Sequence, residues 1–120
     1  MVTVSFMTSA NAPSIDRTFA ALGDPARRSI VLSLASGPAT VRNIAEPFDM
    51  TRPAISKHLR VLKDAGIVTS ETSGRQNWYS LADGALEDAE GWISEVHTMW
   101  ADALGSLKQF VEEAHNGNSD

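Results

Sequence analysis

Arg52, Ser56, Arg60 and Lys63 recur at spacings of four, four and three residues, with Pro53 and Lys57 beside them. At 100° per residue the first four fall within about 80° of one another on a helix. Ile55, Leu59 and Leu62, at spacings of four and three, occupy the opposite side and share one buried face. Such a helix offers water two guanidinium forks, an ammonium and a hydroxyl. A guanidinium can hold guanine O6 and N7 together, a serine can serve base or phosphate, and a lysine is a flexible point charge suited to phosphate. Pro53 presents an apolar surface to a thymine methyl, or simply starts the helix. Arg75, in a glycine-containing loop, is either a minor-groove or backbone contact or a solvated loop residue.

The 120 residues carry ten Lys and Arg against fifteen Asp and Glu, a formal charge of -5, which taken alone argues against a nucleic-acid partner. Position reverses that reading. Residues 51 to 75 hold Arg52, Lys57, Arg60, Lys63 and Arg75 against Asp64 and Glu71, a local charge of +3. Residues 83 to 120 hold nine acidic residues and only Lys108, a local charge of -8. Positive charge gathers where phosphates would be met. A merely solvated polar face is the plainer alternative.

Other chemistries are poorly served. With no cysteine there are no disulfides, thiolate metal sites or cysteine nucleophile. No glycine-rich phosphate loop follows a strand, no serine-nucleophile motif occurs, and the three histidines are scattered, so an enzyme is not expected. No apolar run approaches the roughly 18 residues needed to span a bilayer. A cytoplasmic protein without membrane contact is expected.

The elements that must hold the cationic helix are readable from caps and breaks. A first helix spans Asp16 to Leu22 and stops at Gly23, a residue suited to the left-handed cap. Asp24 caps a second helix, Pro25 occupies its first position, and the helix runs to about Ser36, with Ile30, Val31 and Leu34 inward. Thr40 caps a short supporting helix through Val41, Ile44, Ala45 and Phe48. Thr51 then caps the cationic helix, which Gly66 ends. Two β-rich runs, 67–72 and 76–81, flank Ser73-Gly74-Arg75 and form a hairpin. From about Gly84 to Ala114, Ala89, Ile93, Val96, Trp100, Ala103, Leu107, Phe110 and Ala114 alternate spacings of four and three, a heptad seam. Trp92, Met99, Leu104 and Val111 widen it. A helix of about 45 Å outreaches the rest of so small a domain, and a second subunit would cover its apolar face. The expected fold is mainly α with a two-stranded β-wing: a winged helix-turn-helix with a long C-terminal dimerisation helix. One domain over residues 15 to 114 lies between flexible tails, 1 to 14 and 115 to 120.

Phe19-Ala-Ala-Leu-Gly-Asp-Pro-Ala-Arg-Arg28, Ala54-Ile-Ser-Lys-His-Leu-Arg-Val-Leu62, Ala65-Gly-Ile-Val68 and Gly74-Arg-Gln-Asn-Trp-Tyr-Ser-Leu81 together resemble the ArsR/SmtB family of bacterial repressors. The resemblance implies a homodimer built on the first and last helices, bound to a palindromic operator and repressing transcription until a signal releases it. It makes Thr51 to Asp64 the reading helix, with Arg52, Ser56, Lys57 and Arg60 toward the groove, Arg52 or Arg60 being the expected base reader and Lys57 the phosphate contact. Thr40 and Arg42 begin the supporting helix, where backbone N–H groups can bind a phosphate. Phe19, Ile93, Val96, Trp100, Leu107 and Phe110 would form the dimer interface. Trp92 and Trp100 resemble a subgroup without metal ligands.

His58 lies at the edge of the apolar side, so a packed, hydrogen-bonded histidine is favoured over a sensor. Metal-sensing members use cysteines on the supporting helix, or Asp and His pairs on the last helix with a two- and then an eleven-residue spacing. Counting eleven from His97 reaches Lys108, which cannot ligate while protonated, so a sensor using His97 and His115 is disfavoured and no cofactor is expected. Trp92, Met99 and Trp100 could line a pocket for a small apolar effector, although such a stripe is more often core and dimer seam. A winged-helix module that holds a protein partner through its acidic last helix is the rival from another class.

Overall fold

The computed structural model describes residues 12–118. The chain divides into two compact units, one reaching to Ala89 and one from Glu90 onward.

In the first unit, α1 (Ala12–Leu22) starts four residues before the expected Asp16. Pro13 stands in its first turn, where a missing N–H is no loss. Its C-terminal end corrects a second expectation. Gly23 is not among the residues with positive φ, and its N–H closes on the Ala20 carbonyl at 3.2 Å. The last carbonyls of α1 are instead satisfied from the following helix. Arg27 donates Nε to Ala21 O at 2.6 Å and Nη2 to Ala20 O at 3.2 Å, and Arg28 donates Nη1 to Leu22 O at 2.7 Å. A glycine serves at 23 because an added Cβ would lie 3.2 Å from Ala20 O.

Helix α2 (Pro25–Ser33) is capped as expected, with the Asp24 carboxylate accepting from Arg27 N at 3.1 Å, and it tightens into a 3₁₀ turn over Leu34–Ser36. The two-residue strand β1 (Ala39–Thr40) follows, then α3 (Val41–Ala45), α4 (Arg52–Asp64), β2 (Val68–Ser73) and β3 (Gln76–Leu81). The sheet is antiparallel in the order β1-β3-β2, with Thr40 opposite Trp78 and Ser73 opposite Gln76. The expected hairpin is therefore joined by a third strand. Only Gly74 and Arg75 lie between the paired ends, and Gly74 has φ 65°, the glycine-first arrangement of type II′ hairpin turns.

The core is Ala21, Ile30, Leu34, Ile44, Ile55, Leu59, Leu62, Ile67 and Val68. Helices α1 to α4, the 3₁₀ turn and β2 each contribute to it, and partly buried Tyr79 of β3 and Ala39 of β1 pack against it.

In the second unit the chain is helical to Asn118 as part of α5 (Glu87–Asn118), a helix that begins in the first unit. Residues 12–14 and 115–118, assigned to tails by the sequence, are thus helical; the remaining tail residues lie outside the described range. Ile93, Met99, Trp100, Leu104, Leu107, Phe110 and Val111 are all exposed on α5. None of the helices among the described residues is long and apolar enough to cross a membrane.

Candidate nucleic-acid interface

Helix α4 is held along one side by Ile55, Leu59 and Leu62, all completely enclosed. Its two ends are defined by hydrogen bonds. Thr51 Oγ1 accepts from Ala54 N at 3.3 Å at the start, and Pro53 sits in the first turn. At the other end Ile67 N donates to Leu62 O and Gly66 N to Lys63 O, both at 2.9 Å, with Gly66 at φ 78°. Those two bonds and the left-handed glycine constitute a Schellman motif, which stops the helix and turns the chain into β2.

With the apolar side enclosed, Arg52, Pro53, Ser56, Lys57 and Arg60 are all exposed, as is Thr51. Arg52 also lines an open hollow with Arg42, Ala45, Glu46 and Met50, so the supporting helix and the start of α4 share one surface. Arg75 is exposed at the hairpin tip. Thr40 does not join this set. It is 8% exposed, and its hydroxyl accepts from Asn43 N at 3.2 Å, so its side chain caps α3 and is enclosed by the sheet it enters. Lys63 is engaged elsewhere, donating from Nζ to Ser70 Oγ at 2.7 Å and thereby tying the end of α4 to the wing.

Two residues outside the expected set bear on α4. Half-buried His58 has Nδ1 3.4 Å from Nη1 of Arg27, the same guanidinium that holds the end of α1. The hydrogen bond from Arg27 N holds the Asp24 carboxyl below its ordinary value; burial opposes this, and the charges of His58 and Arg27 add smaller lowering effects. The sequence signal for Arg27 was its place three residues after a capping Asp, where the side chain can turn back to the preceding helix.

On α5, an open groove of about 490 Å³ is lined by Trp92, Ile93, Val96, His97, Trp100, Ala101 and Leu104. Met99, expected beside Trp92 and Trp100, is not in its lining. Ile93, Trp100, Leu107 and Phe110 are 52%, 66%, 58% and 68% exposed, Val96 is half-buried, and Phe19 on α1 is 36% exposed. Exposure of this size on four large side chains of one helix is unusual for a solvated surface.

Comparison with known proteins places this arrangement. Residues 24–70, which include α2, α3 and α4, match the family described as bacterial regulatory protein, arsR family. The HTH-type transcriptional regulator Rv2034 of Mycobacterium tuberculosis is 35% identical over 99 residues, covering 82% of this chain and 90% of that protein. The chain belongs to the arsR family. Another relative in the family, the transcriptional repressor SdpR of Bacillus subtilis, is 37% identical over 79 residues, 66% of this chain and 88% of its own. Among solved structures, a homodimeric winged helix-turn-helix DNA-binding domain from Mycobacterium bovis, titled a possible ArsR-family regulator, matches with a TM-score of 0.60 and 26% identity. That match covers 77% of this chain and 91% of that one. The arsR resemblance read from the motifs is confirmed, as is the winged helix-turn-helix fold, and the family consists of transcriptional regulators rather than enzymes.

Proposed function

We propose that the protein is a homodimeric repressor that binds a palindromic operator and occludes a promoter. The observation that carries this is α4 itself: Arg52, Ser56, Lys57 and Arg60 face water along a helix whose other side is sealed by Ile55, Leu59 and Leu62. A cationic helix so anchored has the dimensions and donors of a major-groove reader, with Arg75 and Arg42 available to the backbone on either side. Arg52 and Arg60 read bases, and Lys57 and Arg75 position the complex on phosphates. Two such helices related by a dyad would enter successive major grooves about 34 Å apart.

The second subunit is supported by the exposed apolar face of α5. Dimer formation through Ile93, Val96, Trp100, Leu107 and Phe110, with Phe19 of α1, would cover it. The groove around Trp92 and Trp100 also supports an apolar effector. The dimer is preferred because the apolar face continues beyond the groove to Leu107 and Phe110, farther than a small ligand reaches.

The test is a gel shift with the full chain and the DNA immediately upstream of its reading frame, comparing the parent with an Arg52→Ala, Arg60→Ala double variant. Specific binding that disappears in the double variant supports the reading; equal binding by both removes α4 as the reader. A protein-interaction module would show no sequence-specific shift at modest salt.

A further inference from the structure

The apolar anchors of α4 are non-directional, so by themselves they leave the helix some freedom to roll about its axis. A roll of 15° moves a side-chain tip about 6 Å from the axis by about 1.5 Å. That exceeds the roughly 0.5 Å within which a binding constellation must be held. A directional contact restrains that roll further, and Arg27 makes one near the middle of the helix. The Arg27 guanidinium uses three nitrogens at once: Nε on Ala21 O at 2.6 Å, Nη2 on Ala20 O at 3.2 Å, and Nη1 facing His58 Nδ1 at 3.4 Å. Arginine is only a donor, so Nδ1 must accept, and the imidazole that fits is neutral with its proton on Nε2. One planar group thus joins the end of α1 to the reading helix. Arg27 is half-buried and lies on α2, outside the exposed cationic set of α4.

We infer that Arg27 and His58 form a joint that fixes the roll of α4 against α1, making both positioning residues for base discrimination although neither touches DNA. The inference rests on α4 being the reader. The charged groups around the joint are Asp24 and Arg27 of the α2 start, Arg17 of α1 and Asp64 of α4, the last two lining a groove with Arg27.

The test measures the affinity of the full chain for its selected operator and for a random duplex, and takes the ratio of the two. The ratio cancels any change in general DNA attraction. His58→Leu keeps the packing and leaves both carbonyl bonds of Arg27 in place, while His58→Asn keeps an acceptor near the Nδ1 position. The ratio should fall about fivefold to tenfold in His58→Leu, with the salt slope unchanged. It should stay within about twofold of the parent in His58→Asn. A His58→Leu ratio equal to the parent's, or a His58→Asn ratio as low as that of His58→Leu, would overturn the joint. The Arg52→Ala, Arg60→Ala variant runs alongside: if it keeps the parent's ratio, the reading helix itself is misassigned, whatever His58 does.

Discussion

Replacing Lys57 by Ala isolates the phosphate part of the interface. Lys57 is exposed on α4, next to residues assigned to bases, and its removal leaves the buried side of the helix untouched. Exposed Arg42, Arg52, Lys57, Arg60 and Arg75 allow at most five phosphate neutralisations per protomer. If Arg52 and Arg60 go to bases, three remain. A dimer then makes between about six and ten such contacts, and its affinity should fall by about 10³ to 10⁵ between 50 and 200 mM salt. Lys57→Ala removes two contacts from the dimer and flattens the log–log slope by about 1.8, so across the same fourfold range the variant loses about twelvefold less affinity than the parent. Fluorescence anisotropy with a labelled operator duplex at four or five salt concentrations reads this directly. Discrimination between operator and random DNA should change little. An unchanged slope would refute the assignment of Lys57 to phosphate, and a collapse of discrimination would make it a base reader. The steep salt dependence matters more here because the whole dimer carries a charge of about -10, twice the -5 of the chain, so that net charge opposes DNA binding and this surface must overcome it.

Other outcomes follow from the supporting structure. Asp24→Ala should lower the midpoint of urea unfolding through loss of the α2 cap. Because the folded Asp24 carboxyl is held below its ordinary value, its stabilisation is complete above the unfolded carboxylate range and fades as pH falls through the folded value. The difference between parent and Asp24→Ala should therefore shrink in acid and stay constant from pH 6 to 8. Gly66→Ala places a Cβ at φ 78° and should destabilise by about 1 kcal/mol or more, seen as a lower thermal midpoint. Gly105 of α5 meets nothing within 4 Å of an added Cβ and lies off the heptad seam, so Gly105→Ala should stabilise the helix by about 0.5 to 1 kcal/mol with the sedimenting mass unchanged. A loss of dimer in that variant would mean that the partner approaches α5 on the Gly105 side. Trp100→Ala with Leu107→Ala should lower the sedimenting mass toward that of one chain.

The parts of the fold that were legible are those whose signal is local. The Asp24-Pro25 start, the Thr51 cap, the spacing of Ile55, Leu59 and Leu62 and the Gly66 stop each act within a few residues, and each appears as read. Where a distant partner decides, the sequence is silent. Strand β1 has two residues, too few to show an alternation, and exists because β3 presents a free edge to Ala39 and Thr40. The same pairing encloses Thr40, whose cap was foreseen and whose burial was not. Gly23 looked like a left-handed cap because most glycines at helix ends are; here Arg27 and Arg28 reach back to the open carbonyls and make that conformation unnecessary. The cationic set on α4 was legible because one helix supplies it. The Arg27 contact with His58 was not, since it joins residues 31 apart in sequence.

The central claim is that α4 reads DNA from one face. Selection of bound duplexes from a randomised pool by the full chain, followed by sequencing, tests it most directly when repeated with the Arg52→Ala, Arg60→Ala variant. The account predicts a two-fold symmetric motif with half-site centres about one helical turn apart, enriched by the parent and lost in the variant. Enrichment of the same motif by both proteins, or no enriched motif with the parent, would contradict it.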